Sequence, residues 1–344
     1  MRRASRLCLA LLLALFSTLT LPSAAWSRAL RADEQVMFVP STARLLDDGR
    51  IEARIEAWVY EIEVRPGLNG VFAKHLRLKL KNLSITDRQR FKASTQLFRV
   101  DSQSFKDLRI SMSDLCCSAY ALPRTNFAGR SSARIVMPAD AKAAQQQWLR
   151  FSVQMPTGDA RQFRGRALLV PTRGVSVISD IDDTIKISQV RDRRALLLNT
   201  FLRPFVAVPG MAQRYTRLAK QPGTVFHYVS SAPMQLYPLL RPFLRDSGFP
   251  AGSVHLREST SLVDLIAHPS DSRAHKMETI QGLLADFPER RFLLIGDSGE
   301  ADPEIYGDIA RAHRVQIIGI QIRDVSAETA DILRYRTAFA ELPA

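Results

Sequence analysis

Cysteine is scarce in this chain of 344 residues: Cys8, Cys116 and Cys117 are the only three. Adjacent thiols cannot staple distant segments, so a disulfide-built scaffold is excluded. Without a paired histidine motif they also make a poor zinc site. The six histidines (His75, His227, His255, His268, His275 and His313) show no metal-ligand spacing. His227 lies inside an apolar run and reads as a satisfied core residue, whereas His275 is a candidate to line a site. No glycine-rich phosphate loop is present, which disfavours an ATP-driven kinase. Repeats and low-complexity tracts are missing too. Basic residues are spread along the chain with no aromatic-basic stripe, so no nucleic-acid partner is expected.

What is present is enough for two packed domains. Apolar residues make up 46% of the chain and charged residues 24%. Arg2, Arg3 and Arg6 precede the uncharged apolar stretch Leu7 to Leu21, and Ser23-Ala24-Ala25 follow with small side chains. That order reads as a signal peptide over residues 1–25, and the stretch is short for a bilayer span. The mature protein is therefore expected to be exported, periplasmic or secreted. The formal charge of +14 by itself favours anionic partners: phosphoesters, nucleic acid or anionic lipid surfaces.

Two textures divide the rest. Residues 30–170 are mostly period-two. Ile51, Ala53, Ile55 and Ala57 alternate with Glu52, Arg54 and Glu56, and Trp58, Tyr60, Ile62 and Val64 continue on the other face, as a β-bulge would arrange. Trp148 to Met155 and Arg164 to Val170 also read as strands, so a β-rich, sandwich-like domain is expected. Leu68 to Leu83 fits a helix, while Leu76, Leu78 and Leu80 equally fit a strand. From 171 to 344 short apolar runs alternate with helical patterns: Val175 to Ser179, Val225 to Val229, Phe292 to Ile295 and Val315 to Ile322 as strands, with Pro209 to Ala219, Lys276 to Phe287 and Pro303 to Ala312 as helices. Such alternation predicts an α/β domain on a parallel sheet, with its site at the carboxyl ends of the strands.

Three of the four runs end in polar residues: Asp180-Ile181-Asp182-Asp183-Thr184, Ser230-Ser231, and Gly296-Asp297-Ser298-Gly299-Glu300-Ala301-Asp302. At one sheet edge those carboxylates would repel each other. A hard divalent cation relieves that cost, and Mg2+ suits few carboxylates plus a substrate phosphate. Gly296-Asp297-Ser298-Gly299 mimics a trypsin-like nucleophile segment, but its α/β setting and the want of a suitably placed histidine set that aside.

Asp180-x-Asp182-x-Thr184, Ser230, Lys276 and Gly296-Asp297 with Asp302 resemble the four ordered motifs of the haloacid dehalogenase phosphatases. Val177 to Lys186, Phe226 to Ser230, Gly296 to Tyr306 and Ile320 to Val325 resemble the actin-patch phosphatidate phosphatase family and its bacterial relatives. The resemblance is strong from Gly174 to Val325 and faint before it. It implies a haloacid dehalogenase-like, Rossmannoid parallel sheet. It implies Asp180 as phosphoryl-accepting nucleophile. Asp182 becomes general acid and then base, with its pKa raised by neighbouring carboxylates. Thr184 orients the loop, and Ser230, in preference to Ser231, bonds a phosphoryl oxygen. Lys276, opening a helix, neutralises phosphate. Asp297, Asp302, Asp180 and the backbone carbonyl of Asp182 hold the magnesium. Asp183 is expected to be a solvated or capping residue.

The implied reaction is phosphomonoester hydrolysis, with phosphatidate as the leading substrate. The alternatives are another phosphomonoester, or a phospholipid- or phosphoprotein-binding module without turnover. The stretches between the motifs are too short for a large lid domain. Arg191 to Pro209, with Leu196, Leu197, Leu198, Phe201, Leu202, Phe205 and Val206, is either a peripheral membrane contact or a buried helix with a proline break.

Overall fold

The computed structural model describes residues 29–62, 82–112, 119–138, 144–258, 269–327, 329 and 332–343. The expected signal peptide, Cys8, Cys116, Cys117, His75, His268 and the ambiguous run around Leu76 to Leu80 lie outside them.

The N-terminal half is β-rich, as its alternation predicts. Its elements are β1 (Glu34–Phe38), β2 (Ser41–Leu45), β3 (Ile51–Glu61), α1 (Ile85–Thr95), β4 (Asp101–Ser102), β5 (Arg109–Met112), β6 (Ala119–Ala121), β7 (Arg130–Met137), β8 (Trp148–Val153) and β9 (Arg164–Val170). The described strands form one nine-stranded hydrogen-bonded sheet, not the two separate layers of a simple sandwich. Ile51, Ile55 and Met137 from one end share a core with Ile110, Phe151 and Val153 from the other, so the sheet wraps around a single apolar interior.

The bulge expected after Ala57 is not there. β3 runs in unbroken register against β7 from Ile51↔Met137 to Trp58↔Arg130. Trp58 and Val59 are both buried because both faces of the strand are covered at this point. Val59 faces the wrapped interior. Trp58 and Tyr60 pack into a second core with Phe201, Met234 and Tyr237 of the C-terminal half.

The C-terminal half holds β10 (Val175–Ser179), α2 (Arg193–Phe201), α3 (Met211–Ala219), β11 (Val225–Pro233), α4 (Tyr237–Asp246), β12 (Ser253–Arg257), α5 (Pro269–Asp286), β13 (Arg291–Asp297), α6 (Asp302–Ala312), β14 (Ile317–Arg323) and α7 (Leu333–Ala338). All five strands are parallel, in the order β12-β11-β10-β13-β14. The chain begins at the central strand β10, builds outward through β11 and β12, then crosses to β13 and β14. The strand order therefore reverses between β10 and β13, the place where parallel sheets form their crevices.

Apolar cores line both faces of this sheet, which is why its strands read as continuous rather than alternating runs. β12 and α4 carry no such clear pattern and are found only in the structure. α2 is chiefly a buried helix, with Leu197, Phe201 and Leu202 in the core and Leu198 and Phe205 packed against it. Among the described residues no helix is long and apolar enough to cross a membrane.

Candidate active site

β10 delivers Asp180, and β13 beside it ends in Asp297. The Asp180 backbone N–H donates to the carbonyl of Ile295 at 2.9 Å, carrying the ladder to the strand end. Past β13 the chain folds back into α6, whose first residue, Asp302, returns to the same point. Gly296 makes that return possible: a Cβ there would lie 2.3 Å from Asp302 Oδ2. Asp180, Asp297 and Asp302 each offer a carboxylate oxygen, and these atoms all lie within 4.8 Å of one another.

Lys276 enters the cluster from α5. It does not open that helix, as its sequence position suggests, because α5 begins at Pro269 and places Lys276 in its interior. Nor is it a surface lysine: its Nζ lies 2.8 Å from Asp180 Oδ1, 2.6 Å from Asp302 Oδ1 and 3.1 Å from Glu300 Oε2. Glu300 sits inside the same acidic string as Asp297 and Asp302, but no motif position marks it as a site residue.

One ammonium therefore faces four carboxylates in a buried site. Burial pushes the Asp180 pKa well above the ordinary carboxylate range; Lys276 opposes this, and Asp302, Asp297 and Glu300 add to it. Asp297 is pushed up to about 7 by burial and by Asp302, against Lys276. Burial would lower the Lys276 pKa, but Asp180, Asp302 and Glu300 outweigh it and hold it well above its usual value. The excess negative charge has no second cation among the described residues. Neither oxygen of Asp180 accepts a well-oriented hydrogen bond, and its contact with Lys276 is an ion pair alone. Three converging hard oxygen donors with an orphaned buried carboxylate fit magnesium.

Asp182 is turned to a different set of partners. Lys186 Nζ lies 2.6 Å from its Oδ1, the Ser188 hydroxyl donates to that oxygen at 2.6 Å, and the Ser230 hydroxyl donates to Oδ2 at 3.1 Å. Its pKa is lowered, not raised as the crowding of carboxylates suggests. Burial works upward, but the charge of Lys186 and hydrogen bonds from Lys186, Ser188 and Ser230 together prevail. Lys186 and Ser188 were not singled out from sequence, and the i, i+4 spacing of Asp182 and Lys186 was the available signal.

The loop between them is held from several sides. Asp183 has φ +55 and is buried, not solvated. It caps backbone N–H groups of Ser188 and Gln189 at 2.8 Å and of Val190 at 2.6 Å. Its carbonyl accepts from Arg323 at 2.5 Å. The Thr184 hydroxyl donates to Asp297 Oδ2 at 3.1 Å, tying the first acidic loop to the second. Ser230 and Ser231 part at an irregularity in the β11–β12 pairing. Ser230 points to Asp182, while Ser231 meets the Ser272 hydroxyl at 2.5 Å. His227 is a core residue, its ring nitrogens 2.7 Å from Ser253 Oγ and 3.2 Å from Ser176 Oγ.

Arg334 on α7 supports the acidic loop from behind. It donates to the carbonyls of Ser298 at 2.7 Å and Glu300 at 2.5 Å and pairs with Glu304 at 2.6 Å.

All these site residues except Arg334 fall within residues 175–324, which match the family model described as phosphatidate phosphatase APP1, catalytic domain. Phosphatidate phosphatase APP1 of Saccharomyces cerevisiae is 36% identical over 163 residues, covering 46% of this chain and 27% of the yeast protein. An uncharacterized protein of Schizosaccharomyces pombe is 33% identical over 168 residues, covering 48% of this chain and 27% of that one. This chain thus spans about a quarter of the length of these curated relatives. Among solved structures, a Photobacterium 2,6-sialyltransferase overlays with a TM-score of 0.24 at 9% identity, covering 64% of this chain and 37% of that one, too poor an overlay to bear on the fold.

The acid cluster of the C-terminal half therefore lies inside a stretch that matches a phosphatase catalytic-domain model. Residues 175–324 are thus similar to the catalytic domain of phosphatidate phosphatase APP1, the stretch over which the ordered motifs resemble that family.

Proposed function

We propose that the protein is a magnesium-dependent phosphomonoester hydrolase of the haloacid dehalogenase type that converts phosphatidate to diacylglycerol and phosphate. The observation that carries the mechanism is the convergence of Asp180, Asp297 and Asp302 around one point, with Lys276 on Asp180 and Asp302. The substrate rests on the name of the yeast relative.

Asp180, Asp297 and Asp302 would hold the ion, joined by the backbone carbonyl of Asp182 as the family resemblance implies. Bound magnesium supplies positive charge that offsets the charge on the phosphoryl oxygens. The chain's own residues do the rest. Asp180 attacks phosphorus, the bond from phosphorus to the lipid oxygen breaks, and an aspartyl-phosphate forms. Asp182 gives the departing lipid oxygen its proton, then takes one from the water that attacks the aspartyl-phosphate. Beside Lys186 its carboxylate is ionised, the state the second half requires. An arriving phosphate dianion raises its proton affinity and loads it for the first. Ser230 can release Asp182 to donate to a phosphoryl oxygen.

The test is phosphate release from phosphatidate in mixed micelles and from a panel of small phosphoesters, with magnesium and with chelator, for the wild type and Asp180→Asn. Metal-dependent release that the substitution abolishes supports the hydrolase, and preference for phosphatidate supports the substrate. Release from small phosphoesters alone points to a general phosphomonoesterase. Tight binding of phosphatidate with no release from any substrate sinks the enzymatic reading.

A further inference from the structure

The acids of the site differ in their exposure. Asp180, Asp297 and Asp302 are at most 1% exposed, whereas Asp182 and Glu300 reach solvent with 15% and 32% of their side chains. A substrate must come in past those two. The chain bordering Asp182 is Ile187 to Arg194, and it is paired with the return segment around Val206. The Ile187 N–H donates to the Val206 carbonyl at 2.8 Å, and Lys186 bridges Ala207. Ser188, which holds Asp182, is the very next residue.

This rim is apolar at its tip and basic around it. Ile187 is 36% exposed between buried Lys186 and Ser188, and Val206 is 53% exposed between half-buried Phe205 and Ala207. Arg191, Arg193, Arg194 and Arg203 are exposed, against one exposed acid, Asp192. Asp192 is occupied in capping α2 through the backbone N–H groups of Arg194 and Ala195. Among the described residues Arg191, Arg193 and Arg194 show no ion pair. Exposed apolar side chains with exposed arginines close by in the chain complement an anionic bilayer, where the apolar groups enter the headgroup region and the guanidiniums meet lipid phosphates.

We propose that the Ile187–Val206 rim, with Arg191, Arg193, Arg194 and Arg203, is a membrane-docking surface that seats the opening of the site on anionic lipid. It takes from the proposed function only that the substrate lies in a bilayer. Docking here presents the phosphate of a lipid to Asp182 without lifting the acyl chains out of the membrane.

The experiment is co-sedimentation of the full chain with vesicles of phosphatidylcholine, and of phosphatidylcholine mixed equally with phosphatidylglycerol, at low and high salt. Neither lipid is a phosphomonoester, so binding is read apart from turnover. The wild type is expected to bind the anionic vesicles and to be released by salt. Arg193→Gln with Arg194→Gln should lower that binding about 25-fold, near five-fold per arginine. Val206→Glu should lower it at both salt concentrations. Arg173→Gln, on an arginine 84% exposed just before β10 at the opposite sheet edge, should leave it unchanged. Hydrolysis of a soluble aryl phosphate by the rim variants should match the wild type. The proposal is overturned if the wild type ignores anionic vesicles, if Arg173→Gln weakens binding as much as the rim variants, or if single-stranded oligonucleotide displaces the vesicles at matched charge. Vesicle binding that obeys these expectations alongside no hydrolysis of any phosphoester would support the surface and remove the phosphatidate reading.

Discussion

Lys276 Nζ lies 2.8 Å from Asp180 Oδ1, and both side chains are buried. The pair is the hinge of the site's electrostatics, because the same ammonium also meets Asp302 and Glu300. Replacing Lys276 with Met leaves the acids facing each other with no cation. Without magnesium the variant should lose about 3–5 kcal/mol of stability, the usual cost of breaking a buried pair from one side. Saturating magnesium should restore part of that loss. Denaturant unfolding with and without the ion measures both; equal stability of the two proteins without metal would refute the ion-pair account.

Lys186 sets the charge state of Asp182. In Lys186→Met the upward push of burial on Asp182 is no longer opposed by the ammonium, so its pKa rises. In the proposed mechanism the water-activation step needs Asp182 ionised. The acid limb of kcat against pH should therefore move to higher pH by about one unit or more. An unmoved limb would mean that another group sets it.

Arg334 stands outside the matched stretch yet holds two carbonyls of the acidic loop. Arg334→Ala should weaken magnesium binding by about 10- to 100-fold, the range typical of lost supports behind metal ligands. Arg334→Lys should recover little, because one ammonium cannot reproduce a planar fork across two carbonyls. Calorimetric titration with magnesium reads this directly, apart from any turnover.

His227 and His255 give the fold an acid edge. Burial is the main cause in both: His227 is held well below 6.5, with help from His255 and Arg290, and His255 is brought down to about 3. The sign follows from linkage. Below 6.5 the unfolded chain binds protons at these rings and the folded chain does not, so acidification favours unfolding. Above about pH 7 these two rings add no slope of their own. Each histidine should then remove up to about 1.4 kcal/mol per pH unit below 6.5. His227→Asn should flatten that slope in urea melts taken between pH 7 and 5; an unchanged slope would count against it.

The parallel sheet was legible because buried strands read as unbroken apolar runs ending in acids, as at Ser179-Asp180 and Ile295-Gly296-Asp297. The convergence of Asp180, Asp297 and Asp302 followed from those ends and from the motif order. What escaped depends on contacts that no local pattern encodes. Trp58 broke the alternation of β3 because a distant domain covers its face, and a bulge was the local explanation. Lys276 looked like a helix start because Pro269 to His275 carries little apolar signal. The depressed pKa of Asp182 comes from Lys186 in the same motif, whose direction only the folded loop reveals.

The core that joins Trp58, Tyr60 and Phe91 to Phe201, Met234 and Tyr237 crosses the line at which sequence similarity to the relatives begins. A fragment cut at residue 175 would carry every acid of the site but bare the seat of an indole and two further rings. Such a piece is expected to cling to itself in solution. The smallest unit that folds cleanly is thus larger than the smallest unit that family resemblance picks out.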